Sequence, residues 1–332
     1  MGEAFGAGKF GLSFELFPPK TEAGDAALYR NLEELMVFRP DFVTCTYGAG
    51  GSTQSKTLDI CASVRKRFDV STASHLTCVG ASVDQLRDYL RDTIEHGIEN
   101  IVALRGDPPA GQTKFEVAAG GLRWASDLVA LIRKEFPQLG IAVAGYPETH
   151  GEAISPDEDL ANIVRKVNAG GDVVVTQLFY DNDDYSSYVK KVRALGVTAP
   201  IVPGIMPVTN YAQIKRITTL CKAKLPARLI DALESAGDDE QKQFDAGVAF
   251  AAEQCRDLIA RGIPGLHFYV LNKSPATMRV LEEVGLRRKW KQRLPREWLR
   301  QRRYRFTVAA IAVSLMGVDI DVVCDGASRT IA

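Results

Sequence analysis

Short apolar runs rich in β-branched residues recur along the chain with amphipathic stretches between them, and this alternation predicts strands separated by helices. The runs are Gly11–Phe17, Phe42–Thr46, Thr72–Cys78, Asn100–Leu104, Ile141–Tyr146, Asp172–Phe179, Pro200–Ile205 and Gly265–Leu271. The first seven starts are 31, 30, 28, 41, 31 and 28 residues apart, the length of a strand, a loop, a helix and a return loop. Apolar residues at helical spacing mark Asp25–Val37, Val83–His96, Leu122–Glu135, Asp159–Ala169 and Tyr211–Cys221 as helices between them. Residues 224–233 and 239–261 also read as helices, so an extra helix is expected between strands seven and eight. Eight βα units predict an α/β chain folded as a (β/α)8 TIM barrel over residues 1–286, followed by a C-terminal extension, 287–332. A doubly wound open sheet is the alternative, but it leaves the strands after the sixth without an account.

Composition narrows the class. With 332 residues and 46% apolar content the chain can bury a large core. No segment has the length and purity of a membrane span, and the N-terminus lacks the blocks of a signal peptide, so a cytoplasmic enzyme is expected. Six cysteines without a C-x-x-C pair and four histidines without zinc spacing predict reduced thiols and no metal.

The net charge of zero hides an asymmetry. Residues 287–305 hold ten Arg or Lys against one acid, Glu297, and leave 31 basic and 40 acidic residues elsewhere. The apolar run Phe306–Val318 that follows is too short to span a bilayer. Packing on an acidic body or partner subunit, or an extension without a role of its own, is preferred over nucleic-acid or membrane contact.

In a (β/α)8 barrel the chemistry sits at the C-terminal ends of the strands. Glu15 is the only ionisable residue in Phe10–Phe17, and its neighbours Phe14, Leu16 and Phe17 predict a pKa above that of a free glutamate. Such a carboxyl would hold a proton near neutral pH and donate it; the alternative is an edge-strand glutamate facing water. Gly6–Gly11 has G-x-G-x-x-G spacing but leads into a strand, so it is set aside as a dinucleotide fingerprint. Gly48–Gly51, after strand two and before a helix, is better placed to approach a phosphate. The other rim candidates are His75, Leu104-Arg-Gly-Asp107, Tyr146–His150, Gln177 on strand six and Tyr269 on strand eight.

Eight motifs in register then carry a family resemblance: Phe14-Glu-Leu-Phe-Pro-Pro-Lys20, Val43-Thr-Cys-Thr-Tyr-Gly-Ala49, His75-Leu-Thr-Cys78, Leu104-Arg-Gly-Asp107, Tyr146-Pro-Glu-Thr-His150, Thr176-Gln-Leu-Phe179, Pro203-Gly-Ile-Met-Pro207 and His267-Phe-Tyr-Val-Leu-Asn272. From about residue 10 to about residue 286 the chain resembles the methylenetetrahydrofolate reductases, in their bacterial catalytic-domain form. The resemblance implies a barrel that binds FAD without a Rossmann domain. NADH or NADPH would reduce the flavin and leave, and 5,10-methylenetetrahydrofolate would enter the same cavity and become 5-methyltetrahydrofolate. Opening the folate's imidazolidine ring needs an acid. Glu15 matches the family's catalytic glutamate, and Asp107 matches the aspartate that favours the resulting iminium cation.

Matched residue by residue, the FAD contacts are Thr46, Tyr47, Ala49, His75, Arg105, Gly106, Asp107, Trp124, Ala125, Tyr146, His150, Asp159, Asn162, Arg165 and Lys166. Spacing independently puts the last four on one helix face. Gln177 and Gln213 match the pterin or nicotinamide site, and Tyr269 and Lys273 the benzoyl-glutamate end. Three positions depart from the pattern: Trp124 replaces a tyrosine, Ile217 a stacking phenylalanine, and Lys273 an arginine with its bidentate fork. A homo-oligomer acting on small molecules is expected by the same analogy. Control by S-adenosylmethionine is not expected, since no large regulatory domain follows the barrel. A flavin-independent NAD(P)H reductase and a non-catalytic pterin-binding barrel are the competing readings.

Overall fold

The computed structural model describes residues 1–6, 8–47, 54–108 and 115–286. In the first quarter, β1 (Gly11–Leu16), α1 (Glu22–Leu35), β2 (Phe42–Cys45), α2 (Gln54–Phe68) and β3 (Ser71–Thr77) alternate. The middle continues with α3 (Val83–Glu95), β4 (Asn100–Leu104), α4 (Ala125–Glu135), β5 (Gly140–Gly145), α5 (Pro156–Asn168), β6 (Val173–Thr176) and α6 (Asn182–Ala194). Then come β7 (Ile201–Val202), β8 (Gly204–Ile205), α7 (Tyr211–Cys221), α8 (Ala227–Ser235), α9 (Glu240–Ala260), β9 (Gly265–Tyr269) and α10 (Pro275–Glu283). Helix starts carry their own stop-and-start chemistry: Thr21, Ser82, Ser155 and Asn210 each accept a first-turn N–H, satisfying a donor the helix itself cannot.

Every strand pair is parallel, in the order β7-β6-β5-β4-β3-β2-β1-β9-β8. β7 and β8 are two halves of the single strand predicted over 200–205, parted at Pro203, which has no N–H for the ladder. The Pro203 carbonyl still accepts from the His267 N–H at 3.1 Å, so the chain itself joins the two sheet edges and the (β/α)8 barrel closes. One predicted strand ends early. β6 stops at Thr176 rather than Phe179, so Gln177 begins the loop, its N–H held by the Gly145 carbonyl at 2.8 Å. α8 and α9 supply the extra helix expected before the last strand.

Period-two alternation divides each strand between two layers. Leu12, Phe14 and Leu16 of β1 join the core beneath the surrounding helices, while Ser13 and Glu15 take the intervening positions toward the barrel interior. At its N-terminal end the interior is filled by Phe5, Phe42, Ala73, Val102, Ala142, Val173, Val175 and Val202. Phe5 meets Phe42 edge to face at 5.5 Å, and each ring contributes about 1.5–3 kcal/mol by leaving water. Gly11 makes room for that plug, since a Cβ there would lie 2.3 Å from the Phe5 ring. No helix among the described residues is long and apolar enough to cross a membrane.

Candidate functional site

The polar groups of the interior gather at the opposite end. Glu15 is 9% exposed and lies between two imidazoles whose Nε2 atoms approach the same carboxyl oxygen, Oε2. His75 on β3 is 3.2 Å away and His267 on β9 is 3.5 Å away. Strand register explains the convergence: β1 pairs with β2 on one side and β9 on the other, placing Ser13 beside His267 and Glu15 between Thr44 and Tyr269. Ser13 Oγ is 2.8 Å from His267 Nδ1.

The predicted rise in the Glu15 pKa is overturned. Burial is the largest single influence and pushes the carboxyl up, as its apolar setting suggested. The charge of His75 first, and then the close approach of both imidazoles, outweigh burial and hold Glu15 down at about 2. The Nε2 atoms lie in charge-pair range without ideal hydrogen-bond angles, so attraction between charges leads the lowering. Phe14 and Leu16, which motivated the expectation, belong to the outer core and face away from the carboxyl.

Around this cluster the other predicted residues fall into three groups. The first lies on the rim after β2, β4 and β5. Tyr47 shares its hydroxyl with Thr77, whose Oγ1 is 2.9 Å away, and Thr57 donates to the Thr46 carbonyl at 3.0 Å. Arg105 pairs with Glu152 at 2.8 Å and covers the Phe115 ring at 5.1 Å. Gly106 takes φ +89°, where a side chain would be strained and its Cβ would strike Val79 at 2.7 Å. Asp107, next to it, is exposed. Tyr146 packs edge to face on His150 at 4.5 Å; burial first, then the charges of Asp159 and Asp107, raise its hydroxyl pKa. Trp124 caps the start of α4 just before Ala125 and is 48% exposed.

The second group is on α5, and the structure divides it. Asp159 is buried and accepts the His150 N–H at 3.0 Å, burial raising its pKa. Lys166 lies one helical repeat on, donates to the Ala144 carbonyl and sits 5.6 Å from the Tyr146 ring; burial lowers its pKa to about 8, partly offset by Asp159. Arg165 instead points outward, pairing with Glu158 and with Asn162.

The third group lies across the mouth. Tyr269 donates to the Thr176 carbonyl at 2.7 Å, and Gln177 turns its side-chain carbonyl to the Leu178 N–H at 2.9 Å. Gln213 and Lys273 share an open groove of about 690 Å³ with Asn210, Arg216 and Phe244. Ile217 packs partly buried against the cluster of Leu178, Tyr180, Met206 and Ile214. Ala49 and the Gly48–Gly51 turn lie outside the described residues, as does the extension 287–332.

Three residues of the cluster were not singled out as site residues by the sequence reading: Ser13, and Thr44 and His267, which lie within the quoted motifs. Thr44 Oγ1 is buried without a protein partner among the described residues. Period two pointed to Ser13 from Glu15 and to His267 from Tyr269; only the strand order brings the pairs together.

The rim suits a flavin dinucleotide. Lys166 and Arg105 could meet a pyrophosphate, Trp124 offers a half-exposed aromatic plane, and both His75 ring nitrogens are buried without a hydrogen-bond partner among the described residues. Among the described residues no group of three or more His, Cys, Asp or Glu is arranged to hold a metal ion.

Comparison with known proteins shows the family. A family model described as methylenetetrahydrofolate reductase matches residues 1–285. Methylenetetrahydrofolate reductase (NADH) 1 of Zea mays is 41% identical over 306 residues, 89% of this chain and 52% of its own length. The Arabidopsis thaliana protein of the same name is 42% identical over 84% of this chain and 49% of its own. The chain thus spans about half the length of these plant relatives. The 5,10-methylenetetrahydrofolate reductase of Escherichia coli K12 is 36% identical over 84% of this chain and 92% of its own. Among solved structures, an uncharacterized Clostridium thermocellum protein described as binding two copies of 5-methyl-5,6,7,8-tetrahydrofolic acid aligns with TM-score 0.55, 15% identity, 83% of this chain and 93% of that one, a likeness of fold.

Proposed function

The chain belongs to the methylenetetrahydrofolate reductase family, and we propose that it reduces 5,10-methylenetetrahydrofolate to 5-methyltetrahydrofolate with NADH or NADPH, FAD serving at the barrel mouth. The observation that carries this reading is the buried carboxyl of Glu15 flanked by His75 and His267. When bound, FAD accepts a hydride from the nicotinamide and supplies one to the folate.

The protein's part is to hold charge and move a proton. Opening the imidazolidine ring transfers a proton to the departing folate nitrogen and leaves an iminium carbon to receive the hydride. Glu15 and its histidines hold that proton as a unit. Before substrate binds, Glu15 is the anion described above. When substrate displaces water from the mouth, separated charges become costlier, and the proton passes to the carboxyl, which burial already favours. Asp107 supplies a negative charge beside the cation that forms. Arg105 and Lys166 would hold the pyrophosphate, and Thr46, Tyr47, His75 and Trp124 the rest of the dinucleotide. Gln177 and Gln213 would meet the heterocycle edge, whose donors and acceptors an amide can match, with Tyr269 and Lys273 toward the benzoyl-glutamate end. A homo-oligomer is the assembly the family suggests.

The test is the visible spectrum followed by separate half-reactions. Yellow protein, or colourless protein that turns yellow with FAD, is expected, with NADH the first reductant to try. Colourless protein that reduces the folate without flavin favours a direct nicotinamide reductase, and no folate reduction at all sinks the proposal. In Glu15→Gln the folate half-reaction should fall at least about a hundredfold, the usual share of general acid catalysis, while flavin reduction by nicotinamide falls far less. Equal losses would contradict the acid role.

A further inference from the structure

Two imidazoles address Glu15, and among the described residues only His267 has its far nitrogen engaged. Ser13 and His267 stand directly opposite each other on β1 and β9, are 0% and 1% exposed, and meet at 2.8 Å through Oγ and Nδ1. We propose that they form a positioning pair that decides which oxygen of Glu15 carries the proton given to substrate, an inference that rests on the folate-reductase reading above.

The argument is one of donors and acceptors. A buried hydroxyl proton needs an acceptor, and His267 Nδ1 is the side-chain partner the structure gives Ser13. If Ser13 donates there, Nδ1 uses its lone pair, and the neutral ring must carry its single proton on Nε2. That N–H faces Glu15 Oε2 at 3.5 Å, with His267 itself buried. The ring is held in place: its backbone N–H donates to Pro203 at 3.1 Å, and Tyr269 packs edge to face on it at 5.2 Å. His75 approaches the same oxygen from β3 at 3.2 Å. With both Nε2 atoms gathered at Oε2, the proton of the neutral acid belongs on Oε1. The groups facing this carboxyl are His75 from β3, His267 and Tyr269 from β9, and Thr44 with Cys45 behind it from β2. Ser13 acts through His267 and touches no reacting atom, so both are positioning residues.

The experiment uses the full chain with its flavin and two readouts. Nitrogen-15 spectra of the labelled histidines, taken where the ring is neutral, should show His267 protonated on Nε2 and bare on Nδ1, with the Nδ1 resonance moving in Ser13→Ala. The folate half-reaction, which needs Glu15 protonated, should fall as pH rises. His267→Leu removes a donor that favours the anion and should move this fall upward by about one pH unit, whereas His267→Gln, which keeps an N–H near the Nε2 position, should restore the wild-type midpoint. A proton on Nδ1 in the wild type, or Leu and Gln variants with the same midpoint, would overturn the pair. The tautomer is read without turnover, so a chain with the expected tautomer and no folate reduction would show that the function reading had failed, and the positioning role with it.

Discussion

The two ends of the barrel interior are built from the same strands and differ in almost everything else. Toward the N-terminal end the inward positions are Phe42, Ala73, Val102, Ala142 and Val173, sealed by Phe5. Two residues further along, β1 and β3 present Glu15 and His75, and β9 presents His267 and then Tyr269. One end is filled and satisfied. The other keeps buried polar atoms without hydrogen-bond partners among the described residues: Thr44 Oγ1, both His75 nitrogens and His267 Nε2. A buried polar atom left so costs stability of the order of 1–3 kcal/mol, which the packed end offsets. Stability and chemistry are thus separated along the barrel axis, and substitutions at the two ends should fail in different ways.

The largest effect expected is at the packed end. Phe42→Ala should lower unfolding stability by about 3–5 kcal/mol in urea titration, with folate turnover per folded molecule changing less than about twofold. A variant equally stable but inactive would erase the distinction. Next comes the acid dependence of the polar end. Glu15 falls from the usual glutamate value of 4.5 to about 2 on folding, so the unfolded chain takes up its proton first as pH drops. Its contribution is present above about 4.5 and lost as pH falls toward about 2, amounting to about 3 kcal/mol. Urea midpoints between pH 6 and pH 3 should therefore decline more steeply in the wild type than in Glu15→Gln, and parallel declines would show that the ion pair is not formed.

A smaller effect is expected at Lys166. Lys166→Met should weaken FAD binding about tenfold, as for loss of a charge-assisted contact. Burial takes the Lys166 ammonium to about 8, so wild-type affinity should fall as pH rises through that value while the variant stays flat. The smallest is Trp124→Ala. A half-exposed ring at a helix start should alter stability by less than about 0.5 kcal/mol while reducing FAD affinity a few-fold by titration. A large stability loss there would place the indole in the core rather than at the site.

Strand number, order and the extra helices were legible because period-two and helical spacing are local signals. Glu15 was legible too, but its ionisation was not. Along the chain it stands between Phe14 and Leu16, yet alternation turns those two to the opposite layer, and the charges that set its pKa arrive from β3 and β9. On α5, spacing grouped Asp159, Asn162, Arg165 and Lys166. The rotation of about 100° per residue carries Arg165 off the face of Asp159 and Lys166 and out to Glu158. His267 was missed because nothing near it in sequence is acidic; its partner lies on the first strand.

That pairing of first strand with last has a bearing on how the protein is made. β1 emerges early in synthesis, but Gly265–Tyr269 must appear before it gains its second neighbour and Glu15 gains His267. Until then the nascent chain carries a carboxylate on a strand edge open to water, and the seam at Pro203 has nothing to lean on. Closing the cylinder and bringing the second imidazole against Glu15 are therefore one event.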